Sequence, residues 1–405
     1  MKWVEGAALE STSAADVVIV GAGIAGLAAA IALDRAGISV KVVERATAHS
    51  QAGTILSLWP NALAALDRIG LSEQLADIGI EEPEGVIRKP SGELIIRLDQ
   101  SRLHKRLGRR TLVVHRAELQ RVLLAAAAHL PIAMKAPACR ISSDENGGVV
   151  ELEDGTHLRA PVILACDGIH TIARSNVKNP TPKFRGRTSW RAVMEGVTDL
   201  VTETCLTAGE GKQFIVSLTR GGLTYWAADV ALPEGANAGM SPAGRKAFLL
   251  SQFADWHEHI CELIERMDEN RLVIADVYDS IPTTLRAGRV ALLGDAAHPM
   301  TPDLGQGACQ GIEDAVVIAE CLGRTEDPEV ALEWYESLRL ARVQRIVRES
   351  RRVGFLATWS SPVLVGLRDL VARYMPNSVN SRIVARYASE QSFLKTLPAA
   401  YGVEA

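Results

Sequence analysis

The run VVIVGAGIAGLAAAIALDRAG, residues 17–37, decides how the rest of this chain is read. Asp16 to Val20 is a short apolar run that enters Gly21. From Ile24 to Ala36 small and aliphatic residues continue without a breaker until Gly37, so the pattern predicts strand, tight turn and helix. Gly21 permits the turn, Gly23 lets backbone approach a pyrophosphate, and Gly26 allows the helix to pack closely on the strand. The helix N-terminus then offers free amides and the positive end of its dipole to phosphates. A second strand, Ile38 to Val43, ends in Glu44, where a carboxylate can accept hydrogen bonds from ribose hydroxyls. An acid there favours an unphosphorylated ribose, and so a bound FAD or NAD rather than NADP.

A second segment, GRVALLGDAAHPMTPDLGQGACQGIEDA at 288–315, separates those two cofactors. Arg289 to Leu293 reads as a buried strand leading into Gly294 and Asp295. After Pro299 and Pro302 comes the turn Gly305-Gln306-Gly307, which opens an apolar helix running to about Cys321. Asp295 is placed to accept hydrogen bonds from a polyol such as ribityl. The helix starting near Gln306 would aim its amides at an electron-rich ring and stabilise the charge a flavin gains on reduction. The predicted cofactor is therefore FAD.

Composition fits this reading. The chain has 405 residues, is 47% hydrophobic, and can bury a sizeable core in interleaved units. A net charge of -4 and a pI near 6.2 provide no electrostatic reason to expect nucleic acid. The first fifteen residues lack the basic and apolar pattern of a secretory signal, and no apolar run is long enough to span a bilayer, so a cytoplasmic protein without stable membrane insertion is expected. The six cysteines form no Cys-x-x-Cys pair and have no histidine at zinc spacing, which predicts neither metal nor structural disulfide.

Between the two glycine-rich segments lies RAPVILACDGIHTIAR, in which a strand, Val162 to Ala165, runs into Asp167-Gly168. With GAGIAG at 21–26, CDGIHTIAR at 166–174, GDAAHPMTPDLGQG at 294–307 and HRAEL at 115–119, the chain resembles the group A flavoprotein monooxygenases of the para-hydroxybenzoate hydroxylase fold. The resemblance covers about residues 15–375. TPDLGQG and LSLWPNAL (56–63) are closest to the branch containing salicylate hydroxylase-like enzymes, zeaxanthin epoxidase and FAD-dependent urate hydroxylase. It implies an α/β fold: a Rossmann-like FAD-binding domain with an inserted, mostly antiparallel substrate sheet and C-terminal helices. The FAD segments would be 16–80, 106–185 and 278–325, the sheet 81–105 and 186–277, and the helical region 326–405, behind a loose extension over 1–15. It adds Arg45, Arg116, Asp167 and Ala308 to the cofactor contacts already read from Gly21, Gly23, Gly26, Glu44, Asp295, Gly305, Gln306 and Gly307.

The resemblance further implies the chemistry. NADPH or NADH would reduce FAD, and the reduced flavin would form a C4a-hydroperoxide with O2 that hydroxylates an aromatic or heteroaromatic small molecule. Alkene epoxidation and a non-catalytic flavin-bound sensor are the alternatives. Candidate strands Thr188 to Val197, Gln213 to Thr219 and Leu223 to Val230 would carry the substrate site, with Trp190, Met194, Phe214, Val216, Tyr225 and Trp226 either lining a pocket or packing a core. Tyr225 falls where the urate-hydroxylating members carry a functional tyrosine, and Asp303 matches their aspartate after Thr-Pro. Both are expected to be catalytic. Gln213 stands where those members carry an arginine, which argues against an anionic purine. Arg191, Gln213, Phe214, Tyr225 and Pro302 are the expected substrate contacts. Arg191 either meets a substrate carboxylate or faces solvent. His298 reads as a residue that fixes a turn. A monomer or homodimer is expected. The long C-terminal amphipathic helix, about Asp327 to Trp359, is expected to pack across the flavin domain rather than bind a membrane.

Overall fold

A computed structural model describes residues 15–395 except 48–53, 83, 99, 202 and 258. The loose extension expected over 1–15 lies, apart from Ala15, outside the described residues.

Val17–Val20 is a strand with all four residues buried, because both faces of its sheet are covered. It lies between two parallel neighbours, Val40–Val43 and Val162–Ala165, with Val17 opposite both Val40 and Val162. The six-stranded sheet runs Arg286–Ala287, Val290–Leu292, Val162–Ala165, Val17–Val20, Val40–Val43 and Ile132–Ala133. Strands far apart in sequence thus end side by side, and so do the loops that follow them. The helix Ile24–Arg35 packs on the helix Gly307–Leu322 through small residues. A Cβ added at Gly311 would lie 3.1 Å from the Ala25 Cβ, so any larger residue would push the two helices apart.

A second, seven-stranded sheet draws Gly85–Arg88 and Leu94–Arg97 from early in the chain and five strands from between Lys183 and Asp279. Its pairs are antiparallel except Gly85–Arg88 with Thr204–Ala208. Side chains alternate between its faces. One face carries Trp190, Met194, Phe214, Trp226 and Val230, which pack with Leu249 and Phe253 of the helix Pro242–Phe253 and with Ile260, Leu263 and Ile264 of Ile260–Arg266. The residues between them in sequence occupy the opposite face.

The chain closes with helices Pro328–Ala357, Pro362–Tyr374, Asn377–Ala388 and Glu390–Leu394. The first is capped by Asp327, whose carboxylate accepts from the Glu329 N–H at 2.9 Å. It buries Leu332, Tyr335, Arg339, Val343, Ile346, Ser350 and Gly354, three or four residues apart, along one stripe. The architecture is α/β: a Rossmann-like domain, an inserted and mostly antiparallel sheet, and C-terminal helices.

Candidate functional site

The first glycine loop distinguishes three structural demands. Gly21 has φ +104°, and a Cβ there would stand 2.5 Å from the Cys166 carbonyl oxygen. A Cβ at Gly26 would be 2.0 Å from the Gly21 oxygen. At Gly23, which caps the helix Ile24–Arg35, an added Cβ would meet nothing within 4 Å. The protein itself therefore does not require glycine at 23. The open space fits a phosphate group approaching the helix amides, and no acid in the first helical turn competes for that position. Glu44 supports the loop from beneath, accepting from the Ala22 N–H at 2.7 Å and the Ala46 N–H at 2.9 Å. Gln120 reaches the same loop, donating to the Ala22 carbonyl at 3.2 Å. Arg45 beside Glu44, and Arg116 at the start of the helix Arg116–Ala126, are both exposed.

Asp167 follows the strand Val162–Ala165. Its Oδ2 accepts from the Ile172 N–H at 2.8 Å, while its Oδ1 is buried with no partner among the described residues. Burial raises its pKa, against the hydrogen bonds from Thr171 and Ile172. An orphaned buried acceptor beside the glycine loop fits a ligand hydroxyl or N–H.

Asp295 is exposed on the turn Gly294–Ala296. A Cβ at Gly307 would lie 4.0 Å from its Oδ1, so this carboxylate sits at the start of the helix Gly307–Leu322. Gly305 has φ +60° and leaves room for the Trp59 indole, whose Nε1 a Cβ would approach to 3.1 Å. Ala308 is half-buried on the first turn. The Gln306 side chain turns inward: its Oε1 accepts from Asn61 Nδ2 at 3.1 Å and Gln310 Nε2 at 2.9 Å. Its Oε1 thus belongs to a buried polar network, while its Nε2 is buried with no hydrogen-bond partner among the described residues.

That network was missed in the sequence. Asp314 accepts from the Gly294 N–H at 2.9 Å, His298 Nε2 at 2.6 Å and Arg339 Nε at 2.7 Å. Glu313 accepts from Arg342 at 2.8 and 2.7 Å, from Asn61 at 2.6 Å and from Arg339. Burial alone would raise the Asp314 pKa, but the Arg339 charge and the His298 contact override it and hold the carboxyl at about 2. His298 fixes the turn through Asp314. The signal available was GIEDA, an acidic pair inside an apolar helix.

The substrate candidates divide by the pleat. Phe214 is 1% exposed and stacks on Trp226 at 5.2 Å between ring centroids, on the helix-covered face. Its expected place as a substrate contact is corrected: Gln213 and Phe214 are neighbours in one strand and point to opposite sides. Trp190, Met194 and Trp226 are core residues for the same reason.

On the opposite face Gln213 lies opposite Asp229, and Tyr225 lies between Val193 and Ser217. Gln213 Nε2 donates to Asp229 Oδ2 at 2.8 Å. Arg187, 2% exposed, joins Asp229 at 3.7 Å to Asp303, donating from Nη2 to Asp303 Oδ2 at 2.6 Å. Asp303 is therefore ion-paired to the sheet. Arg187 Nη1 and Asp229 Oδ1 are buried with no hydrogen-bond partner among the described residues, a donor and an acceptor left for a ligand. Arg191 donates from Nε to Ser189 at 3.2 Å. Burial, with Asp229 adding and Arg191 opposing, pushes the Tyr225 phenol up to about 12. Pro302, beside Asp303, is exposed. Arg187 and Asp229 were missed, although Asp229 is a lone charge in the otherwise uncharged strand Thr224–Ala231.

The sequence matches the family described as FAD binding domain over residues 14–350. It is 36% identical over 367 residues to the aurachin C monooxygenase/isomerase of Stigmatella aurantiaca, covering 89% of this chain and 94% of that protein. It is 32% identical over 346 residues to the FAD-dependent urate hydroxylase of Klebsiella pneumoniae, covering 83% and 88%. The structure of Klebsiella pneumoniae HpxO with FAD and uric acid superposes with a TM-score of 0.86 at 29% identity, covering 95% of this chain and 97% of that one.

Proposed function

The chain belongs to the FAD-binding-domain family of group A flavoprotein monooxygenases, and on that premise we propose that it uses NADH or NADPH and O2 to hydroxylate an uncharged or weakly acidic aromatic or heteroaromatic molecule. The observation that carries this reading is the balance of charge on the sheet face that bears Gln213 and Tyr225. Arg187 and Arg191 stand with Asp229 and Asp303, and Gln213 adds a neutral amide. A fully anionic ring would find no surplus cation there to offset its desolvation.

When bound, FAD supplies oxygen activation and transfer. Gly21, Gly23 and Gly26 would hold its pyrophosphate, with Glu44, Arg45, Arg116 and Asp167 along its length and Asp295 and the turn Gly305–Ala308 at its ring end. The chain's own residues do the positioning. Arg187 holds Asp303 against the sheet through an ion pair, so Asp303 is placed to orient substrate. Tyr225, neutral over the working pH range, donates a hydrogen bond to a ring oxygen or nitrogen. Pro302 borders the same space.

The test is a screen of phenols, aromatic acids, purines and quinolones for substrate-dependent NADH or NADPH oxidation, with labelled O2 traced into product. Best turnover with an anionic purine, or no flavin reduction by either nicotinamide under any condition, would overturn the reading. Tyr225→Phe should lower coupled oxygenation roughly tenfold and release more hydrogen peroxide, the loss of one oriented hydrogen bond. The wild-type rate should show no phenol ionisation near pH 10, since the Tyr225 pKa is about 12. Epoxidation of an alkene is a second reading; the 36% identical relative is named as both monooxygenase and isomerase. Product analysis separates the two.

A further inference from the structure

Thirteen large apolar side chains are exposed among the described residues, and twelve of them lie between Val353 and Ile383. The remaining one, Leu94, is held against the same region by its carbonyl, which accepts from Arg373 at 3.0 Å. Single exposed apolar residues are ordinary; their concentration in one stretch of the chain is not.

The helix Pro362–Tyr374 buries only Val365 and turns Val363, Leu367, Leu370, Val371 and Tyr374 outward at helical spacing, with Val363 79% and Tyr374 74% exposed. Two neighbouring elements mix arginine into the same outward stripes. Arg345, Arg348 and Arg352 lead along the end of Pro328–Ala357 to Phe355, which is 63% exposed. Val379, Arg382, Ile383 and Arg386 form one stripe of Asn377–Ala388. Residues 337–395 hold seven exposed basic side chains, Arg345, Arg348, Arg352, Arg373, Arg382, Arg386 and Lys395, and three half-buried acidic ones, in a chain whose net charge is -4.

We propose that this face docks the protein peripherally on an anionic lipid bilayer. Apolar side chains enter the acyl boundary, and the arginines, whose stems lie along apolar surface, reach the headgroup phosphates. Charge selects this occupant over a second copy of the chain. A two-fold interface would set the same arginines against one another, whereas an anionic surface neutralises them. The protein rests on the membrane, since no helix among the described residues is long and apolar enough to cross one. A cleft of about 380 Å³ lined by Phe184, Arg187, Thr301, Arg352 and Phe355 runs from this face toward the Arg187–Asp303 pair.

The test is flotation of the full-length, FAD-loaded protein with vesicles of phosphatidylglycerol and phosphatidylcholine, and with phosphatidylcholine alone, at low and high salt. Binding to the anionic vesicles that weakens with salt is expected. The double variant L367D/L370D should lower the partition coefficient at least tenfold, and R382Q/R386Q several-fold, with flavin content and unfolding temperature unchanged. Failure of the wild type to float, or equal flotation of wild type and variants, would overturn the proposal. So would a wild-type dimer in sedimentation velocity that L367D/L370D converts to monomer, because a second copy would then cover the face. None of these readouts depends on turnover, so they fail or hold separately from the proposed reaction.

Discussion

Gly23 and Gly26 look alike in sequence and answer to different forces. Gly26 is required by the fold, because a methyl group would be driven into the Gly21 carbonyl at 2.0 Å. Gly23 is required only by what binds there, since its missing side chain faces open space. Gly26→Ala should therefore destabilise the apoprotein by about 1–3 kcal/mol, as overpacking does, measured by urea unfolding. Gly23→Val should change apoprotein stability by no more than about 1 kcal/mol, the scale of a helix-cap substitution, yet purify without flavin absorbance. Full flavin content in Gly23→Val would contradict the cofactor assignment.

Among the elements, the long helix Pro328–Ala357 does more than cover the flavin domain. Its Arg339 is fully buried between Glu313 and Asp314 of the helix Gly307–Leu322, and Tyr335 donates to the Leu292 carbonyl at 2.8 Å. The helix thus holds the turn that carries Asp295 through Asp314 and His298. Removing one partner leaves buried charge uncompensated, so Arg339→Met should cost about 3–5 kcal/mol and lower flavin affinity in a fluorescence titration. The pH dependence follows from Asp314, whose carboxyl titrates near 2 in the folded protein, below its ordinary value of 3.8. The folded state then binds fewer protons than the unfolded chain, so this contribution is complete above the ordinary value and is lost as pH falls toward about 2. Asp314→Asn should flatten that part of the stability profile, as followed by denaturant midpoints.

At the scale of the molecule, the proposed cofactor would bridge loops that follow Val20, Ala165 and Leu292, which only the parallel sheet brings together. Stripping FAD should lower the unfolding temperature, and FAD at a hundred times its Kd should restore about 2.7 kcal/mol. Calorimetry with and without FAD checks this, and an unchanged transition would contradict it. The amino-acid sequence by itself determined what depends on near neighbours: the strand, turn and helix around Gly21, the acid at the next strand's end, and the glycine-rich entry to Gly307–Leu322. Each sits within one local unit, so propensity and spacing suffice to read it. Tertiary structure alone decided the rest. Gln213 and Phe214 were separated by which sheet face the helix Pro242–Phe253 covers, and no local pattern states that. The pairing of Arg187 with Asp303 joins residues 116 positions apart, and Arg339 meets Asp314 across two helices. Charges become buried partners only when distant elements pack and remove the water between them, so their roles belong to the assembled fold.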